Sequence, residues 1–165
     1  MKYLRDALGI VAALLVSSPL ASQAETLTLC GQKVDYRPAA STSGSASSSD
    51  LVGIWVGDIL GTNVAYSVDY LRCWALAIED VGADGKIKAQ LVLADSTRNM
   101  HTGGTYGTQG TVRAWVGQLG ANGATMRFAT ANGGTSYDLQ RSDATKMQGR
   151  MILPNGDGRL SLKKR

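Results

Sequence analysis

Few side chains in this sequence belong to the types that perform covalent or metal chemistry. The 165 residues include one histidine, His101, and two cysteines, Cys30 and Cys73. Acyl-transfer catalysis needs a nucleophile, a base and a group that orients the base, whereas His101 lies among glycines and threonines that indicate a surface loop. A structural zinc ion needs about four nitrogen or sulfur ligands, which these three residues do not supply. We therefore expect no catalytic set, no metal and no cofactor.

The carboxylates and the glycine-rich segments do not complete a catalytic motif either. Glycoside hydrolysis uses two carboxyl groups that flank one bond, but the adjacent Glu79 and Asp80 would point to opposite faces of a strand. The segment 103–107, GGTYG, lacks the lysine and the strand-to-helix context of a phosphate-binding loop. The sequence favours a binding function over an enzymatic one.

Aromatic side chains are the better candidates for a binding role, because the walls of ligand pockets are largely apolar and aromatic, with a few polar groups. Trp115 shares a strand face with Arg113 and not with its apolar neighbours, so it is the aromatic residue that we most expect to be exposed. Trp74 shares a face with Leu76 and Ile78, which favours a place in the core and leaves ligand contact as the alternative. The candidate contacts are Trp115, Arg113, Tyr66, Tyr70, Trp74 and His101.

Short β-strands would position these side chains. From Asp50 onward, runs of alternating apolar and polar residues are separated by turn dipeptides such as Asp84-Gly85 and Asn122-Gly123, which supply the positive φ angles of tight hairpins. Eight strands are predicted, at about 51–59, 71–81, 86–94, 109–119, 124–129, 135–141, 146–153 and 158–164. Their order and short turns predict an all-β fold, a single eight-stranded antiparallel up-and-down barrel, whose closure removes exposed sheet edges.

Two connections are longer than a hairpin requires. Residues 61–70, GTNVAYSVDY, join the first two predicted strands, and residues 95–110 join the third to the fourth. Long loops without structure of their own are usually functional or mobile, so we expect both to contribute to a site. The sequence leaves open whether they share an end of the barrel. An eight-stranded barrel can be filled by side chains or can hold one small ligand, and the sequence is compatible with both.

The first 24 residues have the features of a secretory signal peptide. Lys2 and Arg5 precede an apolar run over 7–16, and Ser22-Gln23-Ala24 fits a cleavage site. The apolar run is about half of the ~20 residues that a membrane-spanning helix needs. We therefore expect an exported protein, periplasmic or extracellular, without a membrane span.

A second segment, 25–49, precedes the barrel domain at 50–165. It begins with a short strand-like alternation that includes Cys30, and it ends in AASTSGSASSS, a composition typical of a flexible linker. Two isolated cysteines in an oxidising compartment usually pair, so a Cys30–Cys73 disulfide is predicted to tie this segment to the second barrel strand. A lipid-modified Cys30 is the alternative, which the large Leu29 before it disfavours.

The charge distribution does not indicate a nucleic-acid partner. The net charge is +4, and the basic residues are scattered singly apart from the C-terminal Lys163-Lys164-Arg165. Nucleic-acid binding typically uses a basic stripe with interleaved aromatic residues.

The motif Gly53-Ile54-Trp55 resembles the Gly-x-Trp start of the calycins, the group of lipocalin-like and avidin-like barrels. The resemblance spans about residues 51–165. It implies structural roles for Gly53 and Trp55, with Trp55 plugging one barrel end beneath a basic residue of the last strand, namely Arg159, Lys163 or Arg165. The polar biotin contacts of avidins and the further signature regions of lipocalins are not found here, so the resemblance does not imply biotin binding.

A second resemblance is to small periplasmic metalloprotease inhibitors, which are also exported eight-stranded barrels with one disulfide. Leu51–Trp55, Cys73 and the basic end Leu162–Arg165 carry it. It implies a protein partner bound through a free N-terminal segment, which a bridge at Cys30 would restrain. We therefore expect a non-enzymatic barrel that binds a small ligand or cell-envelope component, with a protein-binding module such as a protease inhibitor as the alternative.

Overall fold

Twelve β-strands account for most of the chain in the computed structural model, which describes residues 24–39, 49–63, 68–94, 96–99, 105–107, 109–130 and 132–165. The strands are β1 (Glu25–Leu29), β2 (Gln32–Tyr36), β3 (Gly53–Asn63), β4 (Val68–Val81), β5 (Lys86–Leu93), β6 (Ser96–Asn99), β7 (Thr105–Gly107), β8 (Thr111–Leu119), β9 (Thr125–Ala129), β10 (Ser136–Arg141), β11 (Lys146–Leu153) and β12 (Gly156–Lys164).

Eight of these strands form a closed antiparallel barrel. Around the ring the order is β3, β4, β5, β8, β9, β10, β11 and β12, and β12 pairs back onto β3. Each of the eight overlaps one of the predicted strands, so the all-β, up-and-down barrel expected from the alternation and the turn dipeptides is confirmed. The polar and glycine-containing connections place consecutive strands side by side, and closure gives each of the eight strands a paired neighbour on both sides.

Period-2 alternation fills the barrel with apolar side chains. The apolar residues of the alternating runs in the sequence are buried on β5 (Ile87, Ala89, Leu91), β11 (Met147, Met151) and β12 (Leu160, Leu162). Trp55, Trp74 and Phe128 are the largest fully buried side chains in this core. The outward neighbours on the same strands are mostly charged or polar and exposed, as expected for a sheet with one wet face.

The two long connections are shorter than the sequence predicts. β3 runs to Asn63 and β4 starts at Val68, so Tyr70 lies in a strand and not in a loop. The segment 95–110, predicted as structureless, contains the hairpin of β6 and β7. The β6–β7 hairpin has a place in the sheet because β4 has 14 residues and β5 has only 8, so the first residues of β4 have no partner on β5. β6 pairs with that free edge at Tyr70 and Leu71.

The N-terminal strands form a separate hairpin on the outer wall of the barrel. β1 and β2 are joined by Cys30 and Gly31, both with positive φ, as a two-residue turn of the hairpin type requires. The apolar face of the hairpin packs against outward residues of the wall in a second core, made of Leu29, Val34, Tyr36, Ile54, Ala75, Ala77 and Val92. The predicted Cys30–Cys73 disulfide is present and ties the turn of this hairpin to β4.

Candidate ligand site at the open end of the barrel

One end of the barrel holds a cavity of about 380 Å³ among inward side chains. It lies where β3, β5, β9 and β11 end and where β4, β8, β10 and β12 begin, so the strands that flank 64–67 and 94–110 meet at this same end. We call this cavity the mouth cavity. It is lined by Ile59, Tyr70, Arg72, Leu91, Leu93, Gln109, Thr111, Arg113, Trp115, Thr130, Thr135, Tyr137, Met151 and Leu153.

Strand β8 places three chemically different side chains on the wall of the mouth cavity. Thr111, Arg113 and Trp115 are two residues apart from one another, so alternation turns all three inward. The sequence correctly predicted that Trp115 shares its face with Arg113. The expectation that Trp115 is exposed is wrong, because this face lines the barrel and its ring is half-buried against Phe128 and Tyr137. The apolar Val116 beside it points outward and is 55% exposed.

Arg72 is a second guanidinium at the mouth cavity, and backbone carbonyls hold it in place. Its Nε donates a hydrogen bond to the carbonyl oxygen of Ala94 at 3.0 Å, and its Nη2 donates to the carbonyl oxygen of Gln109 at 2.9 Å. Arg72 pairs across the ladder with Ile59, whose side chain also lines the cavity. The guanidinium is therefore oriented by the protein before any ligand arrives.

Aromatic rings form the floor of the mouth cavity. The Tyr137 ring lies 5.3 Å from the Trp74 ring and 5.2 Å from the Trp115 ring, and Trp115 lies 6.5 Å from Phe128, all between ring centroids. Such tilted and edge-on pairs are favourable beyond the area that they bury. Trp74 is fully buried behind Tyr137 and does not line the cavity, so the structure places it as support for the wall.

Two buried polar atoms near the mouth cavity have no hydrogen-bond partner within the described part of the chain. They are Trp74 Nε1 and Thr111 Oγ1. A buried donor without a partner costs roughly 1–3 kcal/mol, and such groups are uncommon in folded proteins. Of the two, Thr111 belongs to the lining of the mouth cavity.

Burial raises the pKa of the Tyr137 phenol above its ordinary value, and the positive charges of Arg72 and Arg113 have smaller, lowering effects. Above pH ~10 the phenol of the unfolded chain ionises first. The unfolded state then binds fewer protons, so the free energy of unfolding falls until pH passes the folded-state pKa. We expect guanidinium unfolding between about pH 8 and 11 to show a smaller alkaline loss of stability in Tyr137→Phe than in the wild type. An equal loss in both proteins would contradict this expectation.

The structure brings together three of the six candidate contacts named from the sequence. Tyr70, Arg113 and Trp115 line the mouth cavity, whereas Tyr66 and His101 lie outside the described residues. Sequence reasoning missed Arg72 and Tyr137 as lining residues. Arg72 could have been found, because it alternates with Tyr70 and Trp74 on one strand face. Tyr137 could not, because its nearest aromatic partners come from β4 and β8.

The opposite end of the barrel is closed by Trp55. Its indole is fully buried and donates a hydrogen bond from Nε1 to the carbonyl oxygen of Leu51 at 2.9 Å. The Lys164 ammonium lies 5.5 Å from the centroid of this ring and donates to the carbonyl oxygen of Asp50. Partial burial lowers the pKa of Lys164. A Cβ at Gly53, whose φ is +138°, would lie 2.8 Å from Lys164 Cε, so glycine makes room for this lysine.

The basic residue over Trp55 is therefore not one of the three that the sequence suggested. Arg159, Lys163 and Arg165 are exposed. Because Leu160 and Leu162 point inward on β12, the next inward position is 164. The alternation of the last strand alone was enough to choose Lys164.

A broad groove of about 1380 Å³ lies on the outer wall of the barrel. Its charged side chains are largely matched with one another. Arg127 lies 3.6 Å from Asp138, and Arg150 lies 3.0 Å from Asp157. Exposed pairs of this kind contribute little to stability, and their mutual neutralisation leaves no concentrated charge. The partly enclosed, aromatic mouth cavity is the better candidate for a ligand site.

The described residues hold no cluster of three histidine, cysteine, aspartate or glutamate side chains suited to a metal ion. Within the same residues, no helix has the length and apolar character needed to cross a membrane. No protein-family model matches the sequence, and a search of curated proteins gave no significant match.

Proposed function

We propose that this protein is an exported, non-enzymatic β-barrel that binds a small ligand or cell-envelope component in its mouth cavity. The observation that carries the proposal is the cavity itself, with a volume of about 380 Å³, an aromatic floor and two arginines on its wall. Ligand pockets are typically 300–1,000 Å³, mostly apolar, with a few placed polar groups. Barrels of eight strands are just wide enough to hold one small ligand.

The closed end of the barrel supports a finer assignment to the calycin-like barrels. Gly53 and Trp55 open the first barrel strand, and Lys164 of the last strand lies over the Trp55 ring. This is the arrangement that the Gly-x-Trp resemblance implies. In this proposal Trp55 seals one end of the barrel and leaves the other end for the ligand.

The disulfide is compatible with export. Disulfides persist in oxidising compartments and are rare in the cytosol, and Cys30 and Cys73 are paired on the outer wall. Together with the signal-like first 24 residues, this pairing supports a periplasmic or extracellular location.

A small-molecule role is favoured over a protein-binding role through the N-terminal segment. A protein-binding role through this segment would need residues 25–36 to be available to a partner. Leu29, Val34 and Tyr36 are buried against the barrel wall, and the Tyr36 hydroxyl donates to the carbonyl oxygen of Ile78 at 3.2 Å. These contacts and the disulfide hold the apolar face of the hairpin against the barrel wall, so this face is not available to a protein partner.

The proposal is tested with N-phenyl-1-naphthylamine, an uncharged aromatic probe that becomes fluorescent in apolar surroundings. We expect saturable binding of one probe per protein. We also expect Trp115→Ala to weaken this binding about tenfold or more. The bound probe would cover the Trp115 indole, and such a covered aromatic ring is a major source of binding energy. Val116→Ala is the matched control, since Val116 is the next residue on β8 and points outward. Absence of probe binding to the folded wild type, or equal binding by Trp115→Ala, would overturn the proposal.

A further inference from the structure

The charged side chains that line the mouth cavity, among the described residues, all carry the same sign of charge. Arg72 and Arg113 line it, and no aspartate or glutamate is among the lining residues within the described part of the chain. The remaining polar groups of the wall are the threonines, Gln109 and the hydroxyl groups of two tyrosines. A partly enclosed site with two positive charges attracts anions and disfavours cations.

Arg113 is the guanidinium with unused hydrogen-bonding capacity. None of the ion pairs between described residues includes it, and its side chain is exposed at the mouth. An arginine presents five donors in a fixed, planar arrangement that matches the two oxygens of a carboxylate and similar oxyanions. Arg72, in contrast, already donates to two backbone carbonyls, so it contributes mainly charge.

Thr111 adds a second donor on the same strand face. Thr111 lines the mouth cavity, and its buried hydroxyl has no partner within the described residues. Residues i and i+2 of a strand lie on one face, about 7 Å apart. An oxyanion between Thr111 and Arg113 would accept a hydrogen bond from both, and this would remove the cost of the unpaired hydroxyl.

The remainder of the cavity is suited to an apolar body. From the mouth inward, β8 presents Thr111, then Arg113, then Trp115, and the Trp115 ring adjoins the Tyr137 ring. Leu91 and Leu93 of β5 pair with Arg113 and Thr111 and complete this wall. On β8 the polar donors therefore lie nearest the entrance and the aromatic surface lies below them, while the leucines of β5 supply aliphatic surface beside the donors.

We infer that the ligand class of this barrel is an amphipathic monoanion, a small molecule with one oxyanion head and an aromatic or aliphatic body. The head binds at Thr111 and Arg113, and the body lies against Trp115 and Tyr137. This inference rests on the proposed binding function of the mouth cavity. It adds the charge of the ligand, its orientation and the residue that selects it.

Two fluorescent probes that differ only in the head group test the inference. 8-Anilino-1-naphthalenesulfonate has the same aromatic body as N-phenyl-1-naphthylamine and carries one sulfonate. We expect the sulfonate probe to bind the wild type about tenfold more tightly than the neutral probe, since a hydrogen bond to a charged group contributes about one such factor or more. The advantage should shrink as salt concentration rises, because salt screens the charge attraction.

Variants then assign the effect to Arg113. Arg113→Gln should remove the roughly tenfold advantage of the sulfonate probe over the neutral probe, because it weakens binding of the sulfonate probe far more than binding of the neutral one. Arg113→Lys, which keeps the charge but not the planar fork, should restore part of the advantage. Arg159→Gln is the matched control, because Arg159 is an exposed arginine that points outward from β12. It should leave both affinities unchanged.

The outcomes separate failure of this inference from failure of the proposed function. Equal binding of both probes, or an unchanged advantage in Arg113→Gln, would overturn the anion class while leaving a small-molecule cavity in place. Loss of the advantage in Arg159→Gln would place the sulfonate on the outer wall and would also overturn the inference. If the neutral probe does not bind the folded wild type, the proposed function itself fails.

Discussion

Replacing Trp55 with alanine is expected to lower the free energy of unfolding by about 3–5 kcal/mol, the usual range for a large aromatic side chain removed from a core. Trp55 is fully buried, and its neighbours are strand residues of a closed ring that cannot move inward freely to fill the gap. The change also removes the hydrogen bond to the carbonyl oxygen of Leu51. The aromatic surface under the Lys164 ammonium is lost as well.

Guanidinium unfolding monitored by circular dichroism gives the measurement, because it does not depend on the lost indole. Leu60→Ala is the matched control: Leu60 lies on the same strand, points outward and is 47% exposed. Its substitution should change the free energy of unfolding by no more than about 0.5 kcal/mol. A Trp55→Ala variant within about 1 kcal/mol of the wild type would show that Trp55 does not close this end of the barrel.

Removal of the disulfide by the double substitution Cys30→Ser and Cys73→Ser is expected to cost about 4 kcal/mol by the chain-entropy relation. The bridge joins residues 43 apart in the sequence, and cross-linking a loop of that length restricts the unfolded chain strongly. The same substitution should loosen the β1–β2 hairpin, since an isolated two-stranded hairpin is at best marginally stable in water.

Two readouts distinguish these effects. Chemical unfolding reports the overall loss of stability, and hydrogen exchange should show lower protection of the amides in β2 than in β5. Binding of N-phenyl-1-naphthylamine should persist, because Cys73 points outward from β4 whereas Arg72 and Trp74 point inward. Full retention of both stability and β2 protection after the double substitution would show that the apolar contacts alone hold the hairpin.

Much of the barrel was predictable because its strands follow local rules. Asp84-Gly85 and Asn122-Gly123 lie at strand connections, where backbone conformation depends on the residues themselves. Alternation at 87–91 and 160–162 correctly separated inward from outward residues, since β geometry has a period of two. The lysine over Trp55 follows from the same rule applied one step further along β12.

Trp115 shows that alternation groups residues by strand face but does not identify the face that points into the barrel. The sequence correctly grouped Trp115 with Arg113, but a pattern of period two does not state which of two faces points inward. A charged residue normally marks the outward face of a strand, and this rule gave the wrong face for β8. The inward face of β8 reaches the open end of the barrel, where the Arg113 side chain contacts solvent. Val112 and Val116 occupy the outward face and are 37% and 55% exposed.

The role of Gly57 becomes clear only when the strand paired with it is known. In the sequence it is one glycine after Trp55 and Val56. In the barrel it pairs with Leu162, and a Cβ on Gly57 would overlap the carbonyl oxygen of Ser161. Glycine therefore allows β3 and β12 to close the ring at this point, a requirement set by a strand about 100 residues away.

The sequence by itself determined the all-β class and the eight barrel strands, and its only two cysteines predicted the disulfide. The class and the strands follow from local conformation and period-two alternation, which neighbouring residues decide among themselves, and the disulfide follows from composition. The structural part of Gly53 and Trp55 was implied by the resemblance of the Gly-x-Trp motif. The tertiary structure alone decided which end is open, that Arg72, Arg113, Trp115 and Tyr137 share one cavity, and that the N-terminal hairpin covers the outer wall. Those features depend on ring closure and strand length, which bring together residues that no local pattern connects.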